Sequence, residues 1–491
     1  MPDRRILIVC FDALRPDMAT PDLVPNLRRF ADRGVYWPDA HSTFPTETRV
    51  NQAALVTGCY PGLHGIVGNK FVDPIAAPGQ IFNTGVEEQL CEGDKRLDGK
   101  LLGVPSMGEF LKEVGKFYAS LSAGTPGGGR MLNHKAETVG GFRMALHAPE
   151  ATVAPGGLAA VKEKVGDFPG YEIPSMEWNR YATDIYLKFV EPEVRPDVMV
   201  LWFCEPDSSY HYKGIGAPEN LAAIRGVDEQ FGRILDWRDG PDGPGEALQI
   251  ITISDHGQIT VEAENLDLKS KMEAAGFSIG KTLEDGADAA LELSSAGGIY
   301  VRDSDPSLIR RIVDWLQGEE WCGPISTRAE EGTLKHTDLF WDHPRTPDIG
   351  LVLKSHDSKN EYGMGGYTLQ NADYPVNGGL HGGLHPIELN NWLAVGGNAF
   401  KNKCVSPLPA GIVDVFPTTL TLLGLPIPSH MQGRILTEAL IQGGENSAPS
   451  LTQEEIVVDG INGYRAHLKT SRVGNTSYLD AGWVTRGAVY A

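Results

Sequence analysis

Three apolar runs along the chain have the length and composition of buried strands. They are ILIVCFD at 6–12, VMVLWFCEPD at 198–207 and LQIITISDHG at 248–257, and each run carries an aspartate near its carboxyl end. Continuous apolar runs are typical of parallel strands that are buried on both faces. Helical segments lie between them, for example VPNLRRFADRG, whose apolar residues recur at helical spacing before the closing Gly34. The pattern predicts an α/β fold with a mainly parallel central sheet.

The pattern changes over a segment in the second half of the chain. There, the strand-like GGIYVRD is followed by DPSLIRRIVDWLQGEE, whose Asp-Pro start is typical of a helix. We interpret this segment as a small inserted α/β cap outside the central sheet, with core patterning returning at PDIGLVLK. The predicted units are the first part of the catalytic core at 1–260, the cap at 261–345, the second part of the core at 346–436, and a linker with a C-terminal extension at 437–491.

The C-terminal extension has a composition of its own. It begins with the linker GGENSAPS and continues into a tail rich in Val, Tyr and Thr, which is typical of a β-hairpin. Such a hairpin would pack either on the core or on a second subunit. A homodimer is therefore one candidate assembly.

The composition excludes several classes of protein. Hydrophobic residues make up 41% and charged residues 22% of the 491 residues, as in globular enzymes and unlike disordered chains. The net charge of -21 disfavours a broad electrostatic grip on duplex nucleic acid or on an anionic membrane. If the substrate is a small anion, positive charge must be supplied locally, and bound metal ions are a natural source.

The N-terminal run and the cysteines bear on the cellular compartment. The run ILIVCFDAL is too short to span a bilayer, and it contains an aspartate where a signal peptide would need small residues. We therefore expect a buried strand and a cytoplasmic protein. The six cysteines form no CxxC pair, which predicts free thiols rather than a disulfide framework.

Oxygen and imidazole side chains occur in four tight groups. Asp12 stands alone, and the other three groups are Asp207 with His211, Asp255 with His256, and His381 with His385. Carboxylate oxygens and imidazole nitrogens are ligands of zinc and similar cations. Each group alone has a plain alternative, since aspartates cap helices, Asp and Gly form turns, and an Asp and a His four residues apart form a hydrogen-bonded pair. Four groups together favour a metal centre, because three of them follow strands.

A pair of metal ions would also require a nucleophile nearby. Two ions a few ångströms apart can hold the attacking and the leaving oxygen of a phosphoryl group. The segment HSTFPTETRVNQAALVTGCYPGLHGIVGN offers Thr43, Thr46 and Thr48 as candidate attacking groups.

The run TRVNQAALVTGCYPGLHGIVGN resembles the nucleophile segment of the alkaline phosphatase superfamily. The resemblance is to the type I phosphodiesterase or nucleotide pyrophosphatase branch and to phosphonoacetate hydrolase. In that superfamily the nucleophile opens a helix nine residues before the threonine of the TG pair, and an asparagine follows the HGI stretch. Thr48 stands nine residues before Thr57, and Asn69 closes HGIVGN. Thr43 precedes a similar TFP, but its spacing to Thr57 is five residues too long. The resemblance implies a three-layer αβα sandwich.

The resemblance also implies the ligand sets and their roles. FDAL supplies Asp12, EPDSSYH matches the PDxxxH pattern, and SDHG, GLHGG and the closing DVFPTTLTLLGLPIPSHMQGRIL match as well. The implied cofactors are two divalent ions, Zn²⁺ first and Mn²⁺ or another transition metal as the alternative. Thr48 would attack as a coordinated hydroxyl and form a phosphothreonine, and Asn69 would donate to a phosphoryl oxygen. One ion would be held by Asp12, Thr48, Asp255 and His256, and the other by Asp207, His211 and His381.

Other positions depart from the pattern or remain open. The phosphonoacetate hydrolase branch has a lysine pair in the pocket wall, whereas LSAGTPGGGRMLNHK here has Arg130 and Lys135, which disfavours phosphonoacetate. His385 is a candidate alternate ligand or substrate contact, against the simpler interpretation as a loop histidine. Arg130, Tyr210 and Lys213 are candidate pocket residues, against the simpler interpretation as solvated side chains.

Three functions remain open at this stage. The first is hydrolysis of phosphate diesters through a phosphothreonine, with a small phosphorylated substrate. The second is cleavage of the carbon-phosphorus bond of a small phosphonate at the same metals. The third is a binding protein without catalysis, which is disfavoured because buried carboxylates are costly without a metal. Sulfatase relatives carry Cys or Ser where Thr48 stands, so sulfate ester hydrolysis is not expected.

Overall fold

The chain folds around a central mixed sheet, described by a computed structural model over residues 4–283, 286–442 and 450–487. Five neighbouring strands at one side of the sheet are parallel, and the strand Asn390–Gly396 runs antiparallel to both of its neighbours. The sheet order is Cys404–Val405, Val35–His41, Asn390–Gly396, Leu248–Ile253, Arg5–Phe11, Val198–Phe203, Tyr118–Ser122 and Phe142–Ala145, with Ala410–Gly411 paired to Val35–His41.

Both faces of this sheet are covered by apolar side chains. In the strand Arg5–Phe11, Ile6 and Ile8 pack into one core and Leu7 and Val9 into another, because successive side chains of a strand point to opposite faces. Burying each such side chain stabilises the fold by roughly 1.5–3 kcal/mol.

The α-helices are Pro25–Arg33, Thr48–Thr57, Pro61–His64, Glu87–Arg96, Met107–Glu113, Pro126–Leu132, Ala136–Val139, Gly157–Val165, Met176–Ile185, Asp207–Lys213, Pro218–Asp239, Leu268–Ala274, Pro306–Gly318, Pro386–Leu389 and Val415–Leu423, and a π-helix spans Tyr186–Val194.

The three strands predicted from the apolar runs are confirmed and are neighbours. Arg5–Phe11 lies between Val198–Phe203 and Leu248–Ile253, and it is parallel to both. Every residue of these strands except Arg5 is buried. Because parallel strands end at the same edge of a sheet, the polar residues that follow the three strands lie close together.

A second, six-stranded sheet is formed by residues that lie in sequence between the central-sheet strands Leu248–Ile253 and Asn390–Gly396. Its strands are, in order, Ile279–Gly280, Ala289–Leu293, Ala296–Val301, Ile349–Leu353, Cys322–Thr327 and Leu334–Lys335. The helix Pro306–Gly318 begins as its sequence predicts, since Asp305 accepts a hydrogen bond from the backbone of Ser307 at 2.8 Å. The strand Ala296–Val301 lies in this sheet and outside the central one.

One assignment made from the sequence is wrong, because PDIGLVLK does not return to the central sheet. Its strand Ile349–Leu353 is antiparallel to both Ala296–Val301 and Cys322–Thr327. The boundary predicted at 345/346 therefore falls inside the second sheet. The sequence of a buried apolar strand does not indicate which of two sheets the strand joins.

Smaller sheets connect these units. The strands Ser355–Lys359, Gly365–Thr368, Ile259–Val261 and Gly379–Leu380 form a four-stranded sheet in that order, and Lys70–Val72 pairs with Ile81–Asn83. The pairing of Ile259–Val261 with Gly379–Leu380 brings the segment after His256 next to the loop that contains His381.

The tail forms three antiparallel strands, Leu451–Asp459, Tyr464–Val473 and Thr476–Arg486. They pack on the same chain at two places. The Tyr478 hydroxyl donates to Asp414 Oδ2 at 2.7 Å, and the Tyr464 hydroxyl donates to the carbonyl oxygen of Gly323 in the second sheet at 3.1 Å. Most of the predicted linker, 443–449, lies outside the described residues.

Replacing Tyr478 with phenylalanine should destabilise the fold by about 1–3 kcal/mol, because buried Asp414 loses a donor and Arg434 Nε loses its acceptor. The measurement is the midpoint of thermal unfolding, which should fall. Tyr362→Phe is the matched control, since Tyr362 is 43% exposed. An unchanged midpoint for Tyr478→Phe would show that the hydroxyl does not hold the tail.

Two further observations concern the chain as a whole. All six cysteines are free, as the sequence predicts. Within the described ranges, the structure contains no helix that is both long and apolar enough to cross a membrane.

Candidate metal centre and active site

The carboxyl edge of the central sheet collects acidic side chains. Asp12 directly follows the strand Arg5–Phe11, and Asp255 is the second residue after the strand Leu248–Ile253. Asp207 begins the helix Asp207–Lys213 after the third strand. The sheet topology thus brings together carboxylates that are far apart in sequence.

The first group of ligand atoms belongs to Asp12, Asp255 and His256, which are all buried and lie within 4.8 Å of one another. His256 Nε2 lies 3.1 Å from Asp255 Oδ2 and 3.8 Å from Asp12 Oδ1. The other carboxylate oxygens are held in place: Trp202 Nε1 donates to Asp12 Oδ2 at 2.8 Å, and the backbone of Ala13 donates to Asp255 Oδ1 at 2.9 Å. Asp12 Oδ1 and Asp255 Oδ2 are buried and accept no hydrogen bond from the described residues. Two oriented and unsatisfied oxygens beside an imidazole fit a cation.

The second group consists of Asp207, His211 and His381. Asp207 Oδ1 lies 3.3 Å from His211 Nε2 and 3.5 Å from His381 Nε2. The side-chain amide of Gln258 also donates to Asp207 Oδ1. One carboxylate and two imidazoles that leave a further position open match the ligand number of a catalytic zinc site.

Main-chain carbonyls orient all three imidazoles. The Nδ1 atoms of His211 and His381 each lie 2.7 Å from a carbonyl oxygen, of Gly379 and Thr46 respectively, and Nδ1 of His256 lies 3.1 Å from that of Gly257. A carbonyl oxygen can only accept, so it fixes the proton on Nδ1 and leaves Nε2 as a lone-pair donor. Each Nε2 faces its own carboxylate group. This is the tautomer that metal coordination through Nε2 requires.

The two groups adjoin, and their charges are coupled. The rings of His256 and His381 stack with centroids 3.8 Å apart. Burial and the neighbouring carboxylates of Asp255 and Asp207 raise the pKa of Asp12 well above its ordinary value. Burial, together with the nearby imidazole of His256, lowers the pKa of His381 well below its ordinary value. Cations at this position would favour the ionised carboxylates and the neutral imidazoles.

Thr48 is the hydroxyl residue beside the first group. It is the first residue of the helix Thr48–Thr57, and its Oγ1 lies 3.2 Å from His256 Nε2. Its preceding residue, Glu47, is in an extended conformation and makes no side-chain capping bond. The hydroxyl therefore lies at the positive end of the helix, where an anion is favoured.

The other two threonines of the segment have structural partners. Thr43 Oγ1 donates to Asn51 Oδ1 at 3.0 Å. Thr46 Oγ1 donates to the carbonyl oxygen of Gly383 at 3.1 Å and accepts from the backbone of Gly382 at 2.9 Å. Thr46 thus fixes the loop that contains His381, a contact that the sequence did not indicate.

Asn69 lies on the other side of the Thr48 helix start. Its Oδ1 accepts from the backbone N–H of Arg49 at 3.1 Å, and its own backbone N–H donates to Glu47 Oε2. Because the amide oxygen is occupied, the amide NH₂ is the group that remains to face the adjacent cavity. This orientation suits a donor to a phosphoryl oxygen.

The four remaining candidates lie outside both groups. His385 directly precedes and caps the helix Pro386–Leu389; its Nε2 lies 3.0 Å from Asp357 Oδ1, and its Nδ1 accepts from the backbone of Ile387. Arg130 forms ion pairs at 2.7 Å with Glu87 and Glu137. Tyr210 is completely buried, with its hydroxyl 3.2 Å from Met18 Sδ, and Lys213 is exposed. Each has a local structural role or faces water, and none belongs to either group of ligand atoms.

Sequence reasoning missed several residues of the site. Gln258 contacts Asp207, and Trp202 contacts Asp12, as described above. The ring of Tyr374 stacks on His211 with centroids 4.4 Å apart, and Arg49 lines the same cavity as Asn69. Gln258 directly follows SDHG in the sequence. Its position next to a ligand motif is the feature from which the sequence could have indicated Gln258.

The chain matches known proteins over most of its length. The model of the family "Type I phosphodiesterase / nucleotide pyrophosphatase" matches residues 6–354. Of the six ligand residues, five fall in this range and His381 lies beyond it. An ectonucleotide pyrophosphatase/phosphodiesterase of Caenorhabditis elegans is 20% identical over 414 residues, which cover 82% of this chain and 41% of the nematode protein.

Mammalian proteins match over shorter regions. Ectonucleotide pyrophosphatase/phosphodiesterase family member 7 of Mus musculus is 25% identical over 64% of this chain and 62% of its own length. Family member 1 of Homo sapiens is 26% identical over 48% of this chain and 21% of its own length. The chain therefore covers less than two thirds of the length of each of these relatives.

Proposed function

Because the chain belongs to the type I phosphodiesterase / nucleotide pyrophosphatase family, we propose that it is a metal-dependent hydrolase of phosphate diesters that acts through Thr48. The observation that carries the proposal is the position of Thr48 Oγ1 at a helix start, 3.2 Å from His256 in a buried group with two unsatisfied carboxylate oxygens. The substrate would be a small phosphorylated molecule. The proposal includes an alkaline phosphatase-like three-layer sandwich around a mainly parallel sheet, which the five adjacent parallel strands and the two apolar cores support.

Two divalent ions, Zn²⁺ in the first place and Mn²⁺ as the alternative, would be held by the two groups. Asp12, Asp255, His256 and Thr48 would hold one ion, and Asp207, His211 and His381 the other. When bound, such ions supply positive charge to phosphoryl oxygens and lower the pKa of a hydroxyl. The net charge of -21 makes this local positive charge necessary for an anionic substrate.

The residues of the chain would then act in two displacements. Thr48 Oγ1 loses its proton to solvent and attacks phosphorus, while the bond from phosphorus to the leaving oxygen breaks and that oxygen takes a proton from water. Water then attacks the phosphothreonine, which releases a phosphate monoester and restores the Thr48 hydroxyl. The sum is one water molecule added across one P–O bond. Asn69 orients the phosphoryl group by donating to a non-bridging oxygen.

A substrate panel tests this proposal. The full chain, loaded with zinc or with manganese, should hydrolyse bis(4-nitrophenyl) phosphate at least about tenfold faster, in kcat/KM, than 4-nitrophenyl phosphate or phosphonoacetate. The reason is that the second substituent of a diester can occupy the cavity lined by Asn69 and Tyr374, which a monoester leaves empty. Faster turnover of the monoester would identify a phosphomonoesterase, and faster turnover of phosphonoacetate would identify carbon-phosphorus cleavage.

The homodimer and the cytoplasmic location stay predictions from the sequence. Size-exclusion chromatography with light scattering would decide the first. Fractionation of source cells would decide the second.

A further inference from the structure

A cavity of about 460 Å³ opens beside Thr48, and one of its cations forms no ion pair or hydrogen bond through its side chain within the described residues. Its lining includes Arg49, Asn69, Lys70, Glu292 and Tyr374. Through Asn69 and Tyr374 the cavity adjoins both the nucleophile segment and the ligand His211. It is therefore where part of a substrate would lie when its phosphoryl group reaches Thr48.

The guanidinium of Arg49 makes no ion pair or hydrogen bond with any residue in the described part of the chain, and its Nε is fully shielded from water. Most of the other shielded arginines differ: Arg143, Arg345 and Arg434 each pair with a carboxylate. The Nε–H of this guanidinium has lost its hydration, and no hydrogen bond within the described residues replaces it. An anionic ligand would replace it.

The position of Arg49 in its helix makes the unpaired charge more unusual. Arg49 is the second residue of the helix Thr48–Thr57, whose first turn contains no acidic residue. A cation at a helix N-terminus opposes the helix dipole, so the local backbone does not explain it. Both the helix start and the guanidinium favour an anion at this point.

The acidic residues of the cavity are already engaged. Glu47 accepts from the backbone of Asn69, and Asp373 accepts from Asn265 Nδ2 at 3.0 Å. The charge of Lys70 acts on Glu292, and the charge of Glu47 acts on Arg49 without a hydrogen bond between them. The guanidinium of Arg49 is thus left for a ligand.

The geometry of attack determines which part of the substrate Arg49 meets. In an in-line displacement the leaving oxygen lies opposite the attacking oxygen. Arg49 is adjacent to Thr48 on the same helix turn, so the cavity lies on the side of the nucleophile. The group that enters it is the substituent that stays on phosphorus.

We propose that Arg49 binds a second anionic group, a carboxylate or a phosphate, on the retained substituent of the substrate. This inference rests on the proposed hydrolysis of diesters and specifies its substrate class: phosphodiesters whose retained substituent ends in an anion. The planar guanidinium favours bidentate contact with either anion. Arg49 is then a specificity-determining residue.

Three 4-nitrophenyl diesters test the proposal on the zinc-loaded full chain. Their retained substituents are propyl, 2-carboxyethyl and 2-phosphonoethyl. The wild type should prefer an anionic diester to the propyl diester by about tenfold or more in kcat/KM, and the two anionic arms distinguish carboxylate from phosphate. The readout is this ratio, since Arg49 adjoins Thr48 and its replacement can change absolute rates.

Arg49→Gln should reduce the ratio to about one, and Arg49→Lys should keep part of it because the charge remains. Arg225→Gln is the matched control: it removes one exposed arginine of the helix Pro218–Asp239, outside the cavity, and should leave the ratio unchanged. A wild-type ratio of one or less, or an unchanged ratio in Arg49→Gln, overturns the inference.

A binding measurement separates this inference from the proposed function. Calorimetry on the same zinc-loaded proteins compares methylphosphonate with 3-phosphonopropionate, which adds a carboxylate and needs no turnover. Arg49→Gln should weaken 3-phosphonopropionate about tenfold more than methylphosphonate. If no diester is hydrolysed, the proposed function fails, and this comparison still decides the anion site: equal weakening of both ligands overturns it.

Discussion

Replacing Thr48 with alanine is expected to reduce turnover of a phosphodiester by about a thousandfold or more, which corresponds to about 4 kcal/mol of barrier. The substitution removes a hydroxyl that lies 3.2 Å from His256 Nε2, while the carboxylates and imidazoles of both groups remain. The measurement is kcat at matched metal content, together with mass spectrometry of phosphoenzyme trapped in the wild type.

Thr43→Ala is the control for this prediction. Its hydroxyl is also buried in the segment before the helix, but it donates to Asn51 and does not approach the ligand groups. Its loss should cost about 1 kcal/mol of stability and less than tenfold in rate. Thr46→Ala is not a neutral control, because Thr46 fixes the loop of His381. Near-normal turnover of Thr48→Ala, or a phosphate trapped on Thr43, would refute the assignment of Thr48.

Removal of metal should have an equally large effect. Prolonged chelation is expected to abolish hydrolysis, and zinc or manganese should restore it, because the clustered carboxylates otherwise face a substrate of their own charge. Elemental analysis should find two ions per chain before chelation. Full activity in a sample verified as metal-free would exclude the two-metal centre.

Two histidines of one loop distinguish loss of a metal ligand from a general disturbance of the loop. His381→Ala should lower the metal content towards one ion per chain and reduce activity at least about a hundredfold, because the second group loses one of its three ligands. His385→Ala, four residues on, should keep both ions, since its ring binds Asp357 and the backbone of Ile387. Loss of metal in both variants to the same degree would mean that the loop, and not the imidazole of His381, retains the ion.

The sequence was sufficient for the parts of the site that local patterns encode. Asp12 and Asp255 follow strands that are visible as apolar runs, and the parallel order of those strands dictates that they meet. The resemblance to the superfamily's nucleophile segment implied a helix start at Thr48, and the helix Thr48–Thr57 confirms that start.

Other parts depended on contacts that no local pattern records. The strand Ile349–Leu353 joins the second sheet because of its two antiparallel partners, and its own residues would suit either sheet. Gln258 reaches Asp207 only because its segment pairs with Gly379–Leu380. Arg49 was passed over because an arginine in the first turn of a helix is usually solvated, and its lack of a partner appears only when every neighbouring element is in place.

The attachment of the tail limits how the two sheets can move. Tyr478 is hydrogen-bonded to Asp414, which directly precedes the helix Val415–Leu423, while Tyr464 of the same three-stranded unit is hydrogen-bonded to Gly323 in the second sheet. A hinge motion between the sheets would have to break one of these bonds or bend the tail strands, which are joined along their whole length by paired backbone groups. The tail thus acts as a brace. The cavity beside Thr48 is lined by residues of both units, Asn69 and Glu292 among them, so these bonds of the tail resist a change in its width.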